Sequence, residues 1–259
     1  MKAISLTRSL VAMALFSIAH VTSAHELVIK PEKSTVAKGE SLPVSIYMTE
    51  VYLKPGRMPA KDTTLTLHSK IDSKEVTITS DKQGKRFAGD LTNTTNQPFI
   101  LLAKSAEQRS LKPGARGYEK LKKKLASTSD VINARSESYA KALINSAADS
   151  TYHAHKLGTP LELILLDNPA KLAVGDKLRV QVLQKGKPVK ARVAATYNGY
   201  SSEEHGYTTK TQSNDDGVAL VDITSAGLWM VRSKIDLDGS SKALDQYEMS
   251  TSIVFNIEL

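Results

Sequence analysis

The chain has 259 residues, a formal net charge of +8 and a hydrophobic content of 41%, which is enough for two modest domains with real cores. It contains no cysteine, which excludes disulfide bonds, thiolate metal ligands and a cysteine nucleophile. A tight metal site would therefore have to use nitrogen and oxygen ligands.

Residues 1–24 have the three-part pattern of a secretory signal peptide. Two basic residues precede a short apolar run at residues 10–16, and small residues lead up to Ala24. This run is far shorter than the ~20 residues of a membrane-spanning helix, and no later uncharged stretch reaches that length. We expect cleavage after Ala24, export to the periplasm and a mature chain that begins at His25 and has no membrane span. Removal of the signal leaves 33 basic against 27 acidic residues, a net charge of +6.

Residues 25–105 show short segments of alternating apolar and polar residues, which are separated by turn residues. Such alternation is typical of half-buried strands. The predicted strands cover residues 26–29, 34–37, 42–48, 64–68, 75–79, 86–91 and 97–103. Several short strands at this spacing predict an N-terminal β-sandwich domain.

Residues 106–157 have a different pattern, which predicts a helical insertion between two β units. The charged segment 116–126 predicts a short helix, and Ser129-Asp130 can cap a second helix that runs to about Ala148. The second helix would align apolar residues on one stripe at spacings of three and four. These residues are Ile132, Tyr139, Ala140, Leu143, Ile144 and Ala147.

Basic residues are concentrated between Lys104 and Lys124. Such a run could contact nucleic acid or anionic lipid. An exported chain rarely meets nucleic acid, and only Tyr118 is available for base stacking, so we expect no nucleic-acid partner. We interpret the run as the solvated face of a helix.

Residues 158–259 return to the strand pattern. The predicted strands cover residues 161–166, 177–183, 189–197, 207–212, 218–223, 227–233 and 249–257. Asn214-Asp215-Asp216-Gly217 is a strong turn signal. The predicted fold is therefore mainly β: two immunoglobulin-like or transthyretin-like β-sandwich units joined by a helical insertion, after a cleaved signal peptide.

Histidines are the candidate metal ligands. If His25 begins the mature chain, its α-amino group and its imidazole can chelate one divalent metal ion. His153 and His155 would lie on the same side of an extended segment, and imidazole suits copper, nickel, cobalt or zinc. The alternative for this pair is two exposed linker histidines.

Two further histidines are weaker candidates. His205 lies in a polar loop beside Glu203 and Glu204, where it is either a ligand or simply solvated. His68 lies in an alternating strand, where a satisfied or exposed sheet residue is the simpler interpretation.

Motifs for catalysis are absent from the sequence. There is no G-x-S-x-G nucleophile turn, no glycine-rich phosphate loop and no H-E-x-x-H helix. Trp229 is interpreted as a sandwich-core residue rather than a sugar-stacking platform. We therefore expect no enzyme; a copper oxidase built on the terminal histidine is a remote alternative.

The chain resembles the NikM-like periplasmic family, a domain of unknown function associated with nickel or cobalt uptake. The resemblance is carried by HELVIKP (25–31), AKGE (37–40), YAKAL (139–143), GTPLEL (158–163), DNP (167–169), GD (175–176), GKPV (186–189), DG (216–217), AGLW (226–229) and TSIVF (251–255). It implies a secreted two-part β protein that handles a transition metal, with His25 as the position most readily carried over. Family members commonly have a histidine shortly after the tryptophan strand, whereas residues 231–235 here read VRSKI.

We therefore expect a periplasmic protein that buffers or delivers nickel, cobalt or copper to a membrane transporter. The expected ligands are His25, His153 or His155, and His205. The alternative from another class is a secreted β-sandwich module that binds protein or glycan, in which the histidines have no metal role.

Overall fold

The computed structural model describes residues 25–115, 117–238 and 244–258, so the predicted signal peptide lies outside the described residues. The described strands are β1 (Glu26–Pro31), β2 (Ser41–Thr49), β3 (Thr64–Ser69), β4 (Ser73–Glu75), β5 (Ile78–Asp81), β6 (Arg86–Thr92), β7 (Phe99–Leu111), β8 (Ile132–Ile144), β9 (Leu161–Leu165), β10 (Lys177–Gln184), β11 (Lys187–Pro188), β12 (Arg192–Tyr197), β13 (Thr209–Gln212), β14 (Val218–Asp222), β15 (Gly227–Asp238) and β16 (Gln246–Ile257). The helix α1 spans Tyr118–Leu125, and two 3-10 turns lie at Tyr152–Ala154 and Pro169–Lys171. None of the described helices has the length and apolar content needed to cross a membrane.

The largest sheet has eight strands in the order β13-β12-β15-β16-β8-β7-β3-β4. Its neighbouring strands are antiparallel except β16 and β8, which run parallel, with Gln246 opposite Ala134 and Val254 opposite Ala142. This sheet takes strands from all three predicted segments of the mature chain, 25–105, 106–157 and 158–259. The predicted mainly β sandwich architecture is confirmed, while the predicted segment boundaries stay a prediction.

The central strands of the eight-stranded sheet are buried on both faces, because successive side chains point to opposite sides and each side is covered by another sheet. On the face that we call face A, Met230 of β15 and Val254 of β16 pack with residues of the β1-β2-β6-β5 sheet. On the opposite face, face B, Val231 and Ile253 pack with residues of β9, β10 and β14. The molecule therefore has two hydrophobic cores, one on each side of a shared sheet.

The predicted second helix, from Ser129-Asp130 to about Ala148, is wrong. Residues 132–144 form β8, which pairs with β7 along its whole length and with β16 over nine residues. Ala140 and Ala142 belong to the core on face A, and Tyr139 and Leu143 to the core on face B. A strand with two buried faces is apolar at most positions, so it also satisfies helical spacing. The helical insertion is thus reduced to the short helix α1, which the sequence does predict.

A buried ion pair crosses the core on face B. Lys141 Nζ lies 3.1 Å from Glu162 Oε1, and the two side chains are 1% and 2% exposed. Glu162 also accepts hydrogen bonds from the backbone nitrogens of Leu157, at 2.7 Å, and Gly158, at 3.0 Å. Burial lowers the pKa of Lys141, and the carboxylate of Glu162 opposes that shift. The pair therefore ties β8 to the segment that precedes β9.

Replacement of Lys141 by Met should lower the free energy of unfolding by about 3–5 kcal/mol, because Glu162 then remains buried without its cation. Urea unfolding of both proteins measures the difference. The double variant Lys141→Met/Glu162→Gln keeps an acceptor for the two backbone donors and should recover part of the loss. A double variant as unstable as Lys141→Met would contradict the ion-pair explanation.

Candidate functional site

His25 lies at the start of the described chain, directly before β1. In the antiparallel pairing of β1 and β2, Glu26 lies opposite Thr49. His25 precedes Glu26 and Glu50 follows Thr49, so these two residues come next to each other at the same end of the strand pair. The Nε2 atom of His25 lies 3.3 Å from Oε1 of Glu50, and each side chain is 18% exposed. Strand pairing alone thus brings an imidazole and a carboxylate together at the edge of the sandwich.

The loop after β2 holds this pair in place. The Thr49 hydroxyl lies within hydrogen-bond distance of the backbone oxygens of Val51 and Lys54 and donates its one proton to either, and Leu53 adopts the left-handed conformation, with φ of 62°. A branched side chain in this conformation indicates a strained turn that its surroundings maintain. A Cβ atom at Gly56 would lie 3.4 Å from Cδ2 of His25. Glycine at this position therefore lets the backbone approach the imidazole closely.

The loop between β12 and β13 reaches the same place. The backbone nitrogen of His205 donates to the carbonyl oxygen of Glu50 at 2.9 Å. The backbone of His205 adopts the left-handed conformation, with φ of 57°. Its ring lies 6.3 Å from that of Tyr207. The Nε2 atom of His205 is buried and has no hydrogen-bond partner among the described residues. The structure thus brings two of the sequence-predicted histidines, His25 and His205, to the two sides of Glu50.

A buried charged cluster supports the site from face A. Glu26, next to His25, is 3% exposed, and its Oε1 atom lies 2.8 Å from Nε of Arg232. Burial raises the pKa of Glu26, while Arg232 and His205 oppose this shift. Burial also raises the pKa of Tyr207, whose hydroxyl hydrogen-bonds with both Arg232 and Glu26. The cluster fixes the start of β1 on the eight-stranded sheet.

His153 and His155 lie elsewhere. They are in and directly after the 3-10 turn at Tyr152–Ala154, and the ring of His155 stacks on that of Tyr152 at a centroid distance of 4.7 Å. Tyr152 belongs to the core on face B. The pair is therefore separated by the eight-stranded sheet from His25, whose neighbour Glu26 contacts face A. The structure does not bring His25 together with His153 or His155, as the sequence-based site requires.

His153 and His68 lie in partly buried surroundings on face B. Nδ1 of His153 is buried with no hydrogen-bond partner in the described part of the chain, and burial lowers the pKa of this residue. His68 lies on β3, and its Nδ1 atom is 2.9 Å from the Ser73 hydroxyl. Burial, Lys104 and His155 lower the pKa of His68. His155 therefore has His68, rather than His25, within its electrostatic reach.

A family model described as "Domain of unknown function (DUF4198)" matches residues 22–236. The chain belongs to the DUF4198 family. No curated protein matches it. None of these comparisons links the DUF4198 chain to nickel or cobalt uptake.

Among solved structures, the DUF4198 chain is similar to the D0-D1 domain of intimin, with 14% identity, coverage of 88% of this chain and 97% of that one, and a TM-score of 0.22. It is also similar to the ectodomain (Ig1-Ig3) of mouse nectin-like molecule 4, with 10% identity, coverage of 90% and 64%, and a TM-score of 0.22. A DUF4785 family protein from Legionella pneumophila shares 8% identity, with coverage of 79% and 52% and a TM-score of 0.25. These similarities carry no argument about function.

The side chains around His25 do not form a complete metal site by themselves. Within residues 25–115, 117–238 and 244–258, no three histidine or acidic side chains are arranged to hold a metal ion. A metal ion at His25 would need at least one more donor, and the α-amino group that cleavage after Ala24 creates is such a donor. Sequence reasoning missed Glu50, although its position directly after a strand that can pair with residues 26–29 was a usable signal.

Replacement of Arg232 by Leu should destabilise the DUF4198 protein in a pH-dependent way. Without its cation, Glu26 is buried and more easily protonated in the folded state than in the unfolded chain. A group with a raised folded pKa contributes stability at low pH that is lost as the pH rises. We expect a loss of about 3–5 kcal/mol near neutral pH and a smaller loss near pH 5.

Urea unfolding at the two pH values measures this effect. The double variant Glu26→Gln/Arg232→Leu removes the titrating group and is the matched control. Equal pH dependence in the single and the double variant would show that Glu26 is not the group that Arg232 stabilises.

Proposed function

We propose that this DUF4198 protein is an exported, periplasmic protein that binds a divalent transition metal ion at His25 after removal of residues 1–24. The single observation that carries the proposal is the 3.3 Å contact between Nε2 of His25 and Oε1 of Glu50. Histidines that ligate metals usually donate their other ring N–H to a carboxylate, which fixes the tautomer and the ring orientation. Glu50 is such a carboxylate.

The contact with Glu50 favours the tautomer that chelation needs. When Nε2 carries the proton and donates to Glu50, Nδ1 carries the lone pair. Nδ1 and the α-amino nitrogen of a terminal histidine can close a six-membered ring with a metal ion, whereas Nε2 cannot reach into such a ring. Glu50 would therefore be a positioning residue, and His25 would supply two of the ligands.

The donor set favours copper, nickel or cobalt. Two nitrogen donors on one residue suit the tetragonal geometry of Cu²⁺ or Ni²⁺. His205 would supply a further nitrogen, because its unpartnered Nε2 lies in the loop that contacts the backbone of Glu50. His153 and His155 are not ligands in this proposal, because they lie on the other side of the eight-stranded sheet. The resemblance to the NikM-like family supports nickel or cobalt as the cargo and a membrane uptake system as the recipient.

Calorimetric titration with Ni²⁺, Co²⁺ and Cu²⁺ tests the terminal chelate. The processed chain, beginning at His25, is compared with a chain that retains residues 21–24. We expect the longer chain to bind at least about 100-fold more weakly, because its His25 nitrogen is an amide and not an amine. Equal affinities would refute the terminal chelate.

Glu50→Gln in the processed chain tests the positioning role. Loss of a carboxylate that orients a ligand typically weakens metal binding about 10–100-fold. His153→Ala/His155→Ala is the matched control and should bind as the unaltered protein does. If the control loses affinity and Glu50→Gln does not, the metal site lies on face B.

Metal affinity should fall as the pH is lowered from about 8 to about 6, because protons compete with the metal ion for both nitrogens of His25. Repeating the titration across this range measures the effect. A protein that retains no metal when purified from the periplasm and shows no affinity at any pH would instead be a non-catalytic module for protein or glycan.

A further inference from the structure

The strands β7 and β8 continue past the core on face A as an arm, and the ends of β16 and β15 run beside β8 there, with Met249 still in the core on face B. The pairing of β7 with β8 continues from Ser105 opposite Ser138, both buried, to Leu111 opposite Ile132. Six further residue pairs at about 3.3 Å per residue make this extension about 20 Å long. Along it the side chains become exposed, as at Gln108, Arg109 and Ser110. We call residues 106–115 and 117–137 the basic arm.

The helix α1 is fixed to the outer part of this arm. The Tyr118 side chain is 1% exposed, and its hydroxyl donates to the backbone oxygen of Ser129 at 3.1 Å and accepts from Lys122 Nζ at 3.0 Å. At the end of the helix, Lys124 Nζ lies 3.0 Å from Oδ1 of Asp236 on β15. These contacts give the helix a defined orientation on the arm.

Three lysines of the arm remain without a counter-charge. Lys112, Lys120 and Lys123 are exposed, and no carboxylate of the described residues lies within ion-pair distance of them. Arg109 is half exposed and 3.7 Å from Glu107. The end of the arm therefore presents several cations whose charge is not neutralised within the described structure.

We propose that the basic arm docks on an anionic lipid bilayer surface. Lys120 and Lys123 lie on α1, and Lys112 directly follows β7, so the three exposed cations lie together at the end of the arm. None of the three lysines lines the cavity of about 320 Å³ beside Thr63 and Ile78 or the one of about 10 Å³ beside Ser34 and Ala170. Dispersed, flexible cations without a shaped pocket are typical of electrostatic binding to anionic headgroups.

Docking through the arm would also orient the site at His25. Lys124 contacts Asp236 and Glu26 contacts Arg232, and both partners lie on β15, four residues apart, so they share one face of the sheet. Four residues of a strand span about 13 Å. A membrane that contacts α1 would therefore lie on the same side of the sheet as the start of the mature chain. The docking proposal itself does not depend on metal binding.

Vesicle flotation tests the proposal with the processed chain in the presence of a chelator, so that failure of metal binding cannot affect the result. The vesicles contain either phosphatidylcholine alone or phosphatidylcholine with about one quarter phosphatidylglycerol. We expect flotation only with the anionic vesicles, and loss of flotation at high salt because exposed charges are screened.

Lys112→Gln/Lys120→Gln/Lys123→Gln should weaken vesicle binding about 100-fold, because each lysine near an anionic surface strengthens binding about fivefold. The matched control, Lys171→Gln/Lys185→Gln/Lys187→Gln, removes the same charge from exposed lysines that also have no carboxylate within ion-pair distance among the described residues and should still float. Circular dichroism confirms that both variants are folded. The proposal is overturned if both variants lose vesicle binding equally, or if the unaltered protein does not float. It is also overturned if the arm binds an acidic protein but not vesicles.

Discussion

The parallel pairing of β16 with β8 is the interaction on which the rest of this structure depends. It joins β3, β4, β7 and β8, which come from the first 144 residues, to β12, β13, β15 and β16 in one continuous sheet. The four central strands of this sheet, β7, β8, β16 and β15, contribute alternate side chains to two cores. The register of this one pairing therefore decides which polar residues share a face, and with it which residues can form a site.

Buried charges on both faces depend on that register. Glu26 and Arg232 meet on face A, and Lys141 and Glu162 meet in the core on face B. A slip of one residue at this pairing would turn the side chains of one half of the sheet over, so that either Arg232 or Lys141 would point away from its partner and leave two buried charges unpaired. Buried ion pairs are weak sources of net stability, but breaking one is costly. We interpret the two pairs mainly as constraints on strand register, with hydrophobic burial supplying the stability.

Sequence reasoning located most strands because alternation is a local property, as in residues 42–48 and 64–68. It failed at residues 132–144, where burial on both faces removes the alternation, so that Tyr139, Ala140 and Leu143 satisfy helical spacing as well. It also could not place His153 and His155 relative to His25, since the order of strands in the sheet depends on contacts between distant parts of the chain. Glu50 was missed for a related reason: its contact with His25 arises from the pairing of β1 with β2, and not from any spacing in the sequence.

The strand β15 also relates two ion pairs of face A to each other, Glu26 with Arg232 and Lys124 with Asp236. Glu26 and Lys124 both contact β15, and the strand sets their separation because its residues cannot change spacing without breaking hydrogen bonds to β12 and β16. A terminal amino group at His25 would exist only after cleavage, so metal chelation by that residue would begin only once the chain has been exported. If the basic arm then contacts lipid, the processed N-terminus would lie on the same side of the sheet as the membrane, where the uptake system of the proposed function would be. Export would come first, because cleavage creates the α-amino ligand of His25. Metal chelation would follow, at a position that the fold fixes relative to the basic arm.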